Sequence, residues 1–142
     1  MESSDNKAQH GNEFKKDVLR VLLDLKEKRI VKMVELDKKI AANPYVKPQF
    51  LAPFYMESED TKYVIFTTTS ARSDRIKINQ WDANGIKNAY SANTKCFLVL
   101  PSILSEKEYN HYSIEATRIK EAGYISAIDE IFTVDKLTEF VS

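Results

Sequence analysis

The chain has 142 residues, of which 43% are hydrophobic and 30% charged, and its 21 basic side chains are balanced by 21 acidic ones. That length and composition are typical of one globular domain that buries its own core. The zero net charge excludes a uniformly basic coat for nucleic acid, but it leaves room for a local basic patch.

The single cysteine and the start of the chain bear on the cellular setting. Cys96 has no partner for an internal disulfide, which favours a reducing, cytoplasmic environment. No apolar run approaches membrane-spanning length, so we expect no membrane partner. The polar start, MESSDNKAQHGN, does not resemble a signal peptide, and we expect residues 1–12 to form a disordered arm before a single domain over residues 13–142.

The first predicted element is helical and covers about residues 13–42. The pattern allows either one long helix or two helices with a break near Lys28–Ile30, and the two prolines of NPYVKP end it. The apolar residues that recur there at three- and four-residue spacing are Phe14, Val18, Leu22, Leu25, Met33, Leu36 and Ile40.

Two strands are predicted next, and we expect them to pair as a hairpin. QFLAPFYM, residues 49–56, and KYVIFTTT, residues 62–69, are rich in β-branched and aromatic residues and flank the acidic turn ESED. Pro53 marks an edge or a bulge in the first strand.

Residues 74–92 carry two conflicting signals. The dipeptide Asn84-Gly85 indicates a turn, whereas a stripe at helical spacing indicates a helix. The stripe consists of Ile78, Trp81, Gly85 and Ala89. We predict a helix whose small residues let it lie close to the sheet, with Trp81 packed against the strands.

The remaining elements alternate between strand and helix. KCFLVLPS, residues 95–102, is a continuous apolar run typical of a strand covered on both faces. A capping box and a final glycine bound a helix over residues 105–123. A strand at 127–134 and a short helix at 135–142 complete the chain. The order α, β, β, α, β, α, β, α predicts an α/β fold in one domain, with a central mixed β-sheet flanked by helices.

Most catalytic constellations are absent from the sequence. His10 and His111 have neither a metal-ligand spacing nor a nucleophile beside them. The glycines are too sparse for a phosphate-binding loop. These observations leave the stretch TTTSARSDRIKINQWDANGIK, residues 67–87, as the candidate functional segment.

That segment combines hydroxyl groups at the end of a strand with a cluster of cations. Hydroxyl and guanidinium groups donate hydrogen bonds to phosphate oxygens, and arginine also binds guanine edges. The segment therefore predicts contact with double-stranded DNA through Thr69, Ser70, Arg72, Arg75, Lys77 and Gln80. The alternative stays open that the hydroxyls are ordinary strand residues and that the arginines pair with Asp74 and Asp82.

The arrangement also resembles a known family. A helix, then a hairpin whose second strand runs into TTTSARSDRIKINQWDA, then helix, strand and helix resemble the restriction-endonuclease-like PD-(D/E)XK nucleases, especially type II restriction enzymes. The likeness covers about residues 13–141 as a fold and about residues 47–87 as a motif. It implies a DNA endonuclease that hydrolyses phosphodiester bonds with Mg²⁺.

In that family, metal is bound by an aspartate at the start of the first hairpin strand and by an acidic residue two positions before a lysine on the second. This chain departs from the pattern at all three positions. Pro48-Gln49 stands where Pro-Asp is expected, Phe66 takes the acidic position, and Thr68 takes the lysine position.

The resemblance then leaves a relocated centre as the catalytic hypothesis. Glu35, on the predicted helix before the hairpin, and Asp82 are the candidate Mg²⁺ ligands and catalytic carboxylates, with Lys77 or Lys62 as the lysine. The alternative that both carboxylates are simply solvated stays open.

Three functions are compatible with these observations. The chain is a Mg²⁺-dependent type II DNA endonuclease or a subunit or fragment of one, or an inactive relative that binds DNA or a partner through Arg72, Arg75 and Lys77, or an interaction protein without a role on nucleic acid. The resemblance implies a homodimer or a partner subunit. We expect the isolated chain to cut DNA weakly or not at all.

Overall fold

The computed structural model describes residues 4–43, 46–68, 73–90, 93–101, 107, 110 and 127–141. Its two long helices are α1, Ser4–Glu27, and α2, Ser73–Ala89. Its strands are β1 (Met33–Asn43), β2 (Val46–Glu57), β3 (Lys62–Thr67), β4 (Lys95–Leu100) and β5 (Glu130–Thr133). A 3₁₀ turn at Val134–Lys136 leads into the short helix α3, Leu137–Phe140.

The five strands form one mixed sheet in the order β1-β2-β3-β4-β5. The first three strands are antiparallel neighbours, and β3, β4 and β5 are parallel. The predicted α/β fold with a central mixed sheet and flanking helices is confirmed, as is the hairpin formed by β2 and β3. All of β4 after Lys95 is buried, as expected for a strand covered on both faces.

Among the described residues, one long helix covers each face of the sheet. The face that α1 covers, called the α1 face below, buries the helix stripe Phe14, Val18, Leu22 and Leu25 against sheet residues that include Phe97 and Phe132. The opposite α2 face buries Ala83 and Ile86 of α2 against Phe66 and Leu98. Each such fully buried large apolar side chain contributes about 1.5–3 kcal/mol of transfer free energy, which makes these two layers the main source of stability.

The prediction of helix over residues 13–42 is wrong in its second half. The helix begins at Ser4, within the segment expected to be an arm, and ends at Glu27. Arg29 then takes a left-handed φ of 63°, and the Ile30 N–H donates to the Leu25 carbonyl at 2.9 Å. This is the geometry of a helix C-terminus that usually has glycine at the left-handed position. Because arginine stands there, only a possible break near Lys28–Ile30 could be read from the sequence.

The β1–β2 hairpin contains a kink at which both strands change faces. Asp37 on β1 has a left-handed φ of 49°. The flanking pairs Leu36↔Phe54 and Lys38↔Ala52 keep one register, so no residue is inserted. Phe54 nevertheless packs on the α1 face and Ala52 on the α2 face, although two positions apart on a regular strand would share a face. Both strands therefore turn over between these pairs.

Helix α2 lies as close to the sheet as predicted, but the predicted stripe is only partly right. Gly85 is buried against the ring of Phe50, and a β-carbon there would overlap that ring. Ile78 is 54% exposed. Trp81 is 64% exposed, yet its ring lies 6.1 Å from that of Phe50 on β2, so Trp81 touches the strands along one edge and is not enclosed by them. Ala83 and Ile86 provide the fully buried contact of α2 with the sheet.

Two further points complete the fold. The helix predicted over residues 105–123 falls outside the described residues except for Lys107 and Asn110, which are helical. In the part of the chain that the structure describes, no helix has both the length and the apolar character needed to cross a membrane.

Candidate nucleic-acid interface

The candidate interface lies where α2 begins, beyond the carboxyl ends of the parallel strands. β3 ends at Thr67 and β4 at Leu100, and the Thr68 N–H donates to the Val99 carbonyl at 3.4 Å. In open α/β sheets this edge is where ligands bind, because the connections that leave the strand ends diverge there. Thr69, Ser70 and Arg72, which were expected to contact DNA, lie outside the described residues.

Arg75 and Lys77 both lie in the first turns of α2. Two positions on an α-helix differ by about 200° around its axis, so these two residues start from nearly opposite sides of α2. Their contact with DNA stays a prediction.

Gln80 is buried and contacts the backbone of the protein. Its Oε1 accepts hydrogen bonds from the Ala127 N–H at 2.7 Å and the Ile128 N–H at 3.2 Å. Buried backbone donors need such partners, and Gln80 supplies one for the segment entering β5. The fold thus accounts for this side chain, which was expected to contact DNA, and we leave it out of the interface proposed below.

Asp82 is half-buried where α2 packs on β2. Burial raises the pKa of its carboxyl group, and a hydrogen bond that it accepts from the backbone of Leu51 acts in the opposite direction. Strand β2 pairs with β3 only through its residues 54–57. Leu51 precedes this paired part, so the Asp82 carboxylate contacts β2 where β2 has no pairing with β3. Asp82 thereby covers part of an open strand edge.

Glu35 lies on strand β1 and not on a helix, which corrects the predicted placement. It is exposed, and its Oε2 lies 3.1 Å from Nζ of Lys38. Glu35 stands opposite Tyr55 in the β1–β2 pairing, whereas Asp82 contacts Leu51. Leu51 and Tyr55 are four positions apart on β2, or about 13 Å along an extended strand. The structure does not bring the two candidate catalytic carboxylates together.

The residues at the family's metal-binding positions do not provide acids either. Phe66 is 1% exposed and belongs to the core of the α2 face, and Gln49 lies on β2. Among the described residues, no group of three or more histidine, cysteine, aspartate or glutamate side chains could hold a metal ion. The described residues therefore do not fit the Mg²⁺ site that the resemblance implies.

A cluster of cations on aromatic rings was missed by the sequence analysis. Nζ of Lys62 lies 4.1 Å from the centroid of Tyr90, and Nζ of Lys38 lies 4.7 Å from that of Tyr55. The Tyr55 hydroxyl donates to Glu57 at 2.6 Å, and its pKa is raised, chiefly by burial. Lys62, considered as a catalytic lysine, is thus engaged at the start of β3. Only the tertiary pairing unites these residues, so no spacing in the sequence could have found them.

Comparison with known proteins supports the fold. The chain is similar to restriction endonuclease PspGI, solved in a complex with its substrate DNA, with a TM-score of 0.51 and 13% identity. The match covers 85% of this chain and 57% of that enzyme, so this chain spans little more than half of the enzyme's length. No family profile and no curated protein matches the sequence. At this identity the likeness defines the fold, which is restriction-endonuclease-like.

Proposed function

We propose that this chain is a DNA-binding protein of the restriction-endonuclease-like fold. It holds double-stranded DNA at the carboxyl ends of β3 and β4, with the beginning of α2 against the phosphate backbone. Arg75 and Lys77 of α2 contact phosphates, together with Thr69, Ser70 and Arg72, which precede the helix in the sequence.

The observation that carries this proposal is that two cations begin a helix placed at the carboxyl edge of parallel strands. The amino end of a helix carries partial positive charge and unpaired N–H groups, which favour phosphate. Arg75 and Lys77 add two cationic residues to this end of the helix, and each phosphate that such a cation neutralises releases counterions and strengthens binding. The structurally similar enzyme was solved with substrate DNA, which supports the same class of ligand.

The test is a titration of labelled duplex DNA followed by fluorescence anisotropy at several salt concentrations. Arg75→Ala and Lys77→Ala should each make the slope of log affinity against log salt shallower by about one unit. Lys26→Ala and Lys32→Ala are the charge-matched controls. They are exposed and lie near the carboxyl end of β2, at the opposite end of the sheet. Absence of binding at low salt, or equal slopes in variants and controls, would exclude the proposed interface.

The proposal does not extend to Mg²⁺-dependent cleavage by Glu35 and Asp82. Phosphodiester hydrolysis assisted by a metal needs carboxylates that converge on one ion, and these two are placed apart. We expect plasmid DNA to stay intact with the purified chain and Mg²⁺. Cutting that is lost in Asp82→Ala would identify Asp82 as a catalytic residue. Cutting that survives Asp82→Ala and Glu35→Ala would place an active centre elsewhere, and either result would contradict the proposal of an inactive binding protein.

The expected homodimer or partner subunit stays a prediction. Sedimentation equilibrium of the chain, with and without a short duplex, measures it directly. A chain that stays monomeric with and without DNA would contradict the homodimer. The prediction would then reduce to a complex with a different partner chain.

A further inference from the structure

The hairpin kink produces a notch on the α1 face of the sheet. At a regular strand position, consecutive side chains point to opposite faces. Here Leu36 and Asp37 of β1 both line the notch, and so do the consecutive residues Pro53 and Phe54 of β2. The doubling follows from the change of faces at the kink. The notch, called the kink notch below, lies between this part of the hairpin and helix α1.

The kink notch has the size and lining of a pocket for one apolar group. Its volume is about 150 Å³, and Leu19 of α1 completes an apolar wall with Leu36, Pro53 and Phe54. A cavity of about this volume with an apolar lining accommodates one benzene ring, or a leucine side chain. Leu36 is 48% exposed, so part of this apolar wall is open to a ligand.

The rim of the kink notch is predominantly basic. Lys15 and Lys16 of α1 line it, and both are exposed. Lys39 pairs with Leu51 in the β1–β2 register, so these two residues extend the same face of the hairpin beyond the notch. Asp37 is the opposing carboxylate. Within the described residues none of the three lysines forms an ion pair, so all three ammonium groups are available to a ligand.

We propose that the kink notch is a docking site for an acidic segment of a partner protein. One apolar side chain of the partner enters between Leu19 and Phe54, and flanking carboxylates lie against Lys15, Lys16 and Lys39. The charge of the rim selects an anionic partner, and a pocket with room for one side chain selects a peptide over a phosphate backbone. This site is separate from the proposed DNA interface and does not depend on it.

The test is an amide NMR titration of the full chain with a short synthetic peptide that carries one leucine flanked by glutamates. We expect saturable shifts at Leu36, Asp37 and Phe54. Replacing the peptide's leucine by alanine should weaken binding by about tenfold, because most of the buried apolar area is lost. Replacing its glutamates by glutamines should weaken binding by about fivefold and remove its salt dependence.

Variants of the chain separate the contribution of charge from that of shape. Lys15→Gln combined with Lys16→Gln should weaken binding by about fivefold. Lys26→Gln combined with Lys32→Gln, which removes the same charge at a distant surface, should leave binding unchanged. Asp37→Gly should strengthen binding by a few fold, because the carboxylate that opposes an anionic peptide is lost. Glycine accepts the left-handed φ of this position, so the kink itself is kept.

Two results would overturn this proposal. The first is the absence of saturable shifts at these amides with millimolar peptide, or equal binding of the glutamine peptide. The second is a set of shifts at the same amides on addition of duplex DNA with competition by the acidic peptide, which would make the kink notch part of a nucleic-acid surface.

Discussion

The two faces of the sheet hold their helices by different kinds of contact. The α1 face is almost entirely apolar, and the rings of Phe132 and Phe140 stack there with centroids 4.2 Å apart. The α2 face adds directional polar contacts. Asp129 is the main example: it binds Nζ of Lys87 at 2.8 Å and accepts the Cys96 N–H at 2.8 Å, which joins α2, β4 and the segment entering β5.

This difference indicates which of the two helices is held in a defined position on the sheet. Apolar contact is non-directional and depends on the area removed from water, so the α1 face tolerates small shifts of the helix. On α2, Gln80 accepts a hydrogen bond from the Ala127 N–H and Lys87 donates one to Asp129, and these directional contacts fix both the height and the rotation of α2 on the sheet. Arg75 and Lys77 belong to the same helix, so the polar contacts on the side of α2 that faces the sheet also determine the position of the helix segment that carries them.

The largest effect is expected from the apolar face. Phe132→Ala removes a ring that is 1% exposed and that contacts Phe97 edge to face at 5.3 Å. It should lower the free energy of unfolding by about 3–5 kcal/mol, measured by urea denaturation. Phe140→Ala is the control, since that ring is 38% exposed and should cost clearly less. An equal loss of unfolding free energy in the two variants would contradict the expectation that the buried ring of Phe132 contributes more to stability than the partly exposed ring of Phe140.

The close approach of α2 to β2 is tested at its glycine. Gly85→Ala gains helix propensity but places a β-carbon into the ring of Phe50, and we expect a net loss of about 1–3 kcal/mol in unfolding free energy. Adding Phe50→Leu to Gly85→Ala should recover part of that loss, which is measured as a coupling in a double-mutant cycle. The exposed neighbour Asn84→Ala should be neutral or slightly stabilising. A Gly85→Ala variant as stable as Asn84→Ala would show that the helix is not in tight contact.

The polar junction at Asp129 should contribute less than the apolar core but more than a surface ion pair. The side chains of Lys87 and Asp129 are 16% and 29% exposed. Asp129→Ala leaves both the ammonium group and the Cys96 N–H without their partner and should cost about 1–3 kcal/mol. Lys87→Met keeps the bond from Cys96 to Asp129 and should cost less.

Cys96 supplies an independent reporter of this junction. Burial raises the pKa of its thiol to about 12, so labelling of the folded protein at neutral pH should be slow. Labelling should accelerate in Asp129→Ala more than in Lys87→Met, because the first variant frees the backbone of β4. Faster labelling in Lys87→Met than in Asp129→Ala would show that the Lys87–Asp129 ion pair protects the thiol more than the hydrogen bond from the Cys96 N–H to Asp129 does.

The smallest effect is expected from titration of Asp82. Burial raises the pKa of its carboxyl group in the folded state, so the folded protein holds this proton more tightly than the unfolded chain does. The contribution of Asp82 to stability is therefore greatest in acid and is lost as the pH rises from the ordinary value of 3.8 through the higher folded value. Asp82→Asn keeps an oxygen for the Leu51 N–H but does not titrate. Its stability relative to wild type should increase through that pH window, as measured by urea midpoints, and a pH-independent difference would contradict the raised pKa.

The sequence predicted correctly those elements whose neighbours are near in the chain or whose burial is complete. The stripe from Phe14 to Leu25 has one apolar side and needs only one sheet to cover it. From Cys96 to Leu100, β4 is apolar at every position because both faces of the sheet are covered there. The hairpin of β2 and β3 follows from local turn chemistry and β-propensity.

The candidate site could be predicted only as a segment. Of the basic residues after β3, Arg75 and Lys77 lie in the first turns of α2. The side of the helix on which each residue lies depends on how α2 is rotated against the sheet, and composition does not contain that information. Trp81 illustrates this, since the same stripe that includes the buried Gly85 leaves Trp81 exposed.

By itself, the sequence determined an α/β chain with a covered central sheet and a cluster of cations after the third strand of that sheet. Only the tertiary structure decided that residues 33–43 form a strand. The kink at Asp37 turns β1 over, so Met33 and Ile40 contact the same α2 face although an odd number of positions separates them. Apolar residues at both odd and even positions of the strand then face the core, and their spacing in the sequence resembles that of a helix. Pairing with β2, a contact between separate segments, satisfies the backbone of β1 and settles the choice in favour of the strand.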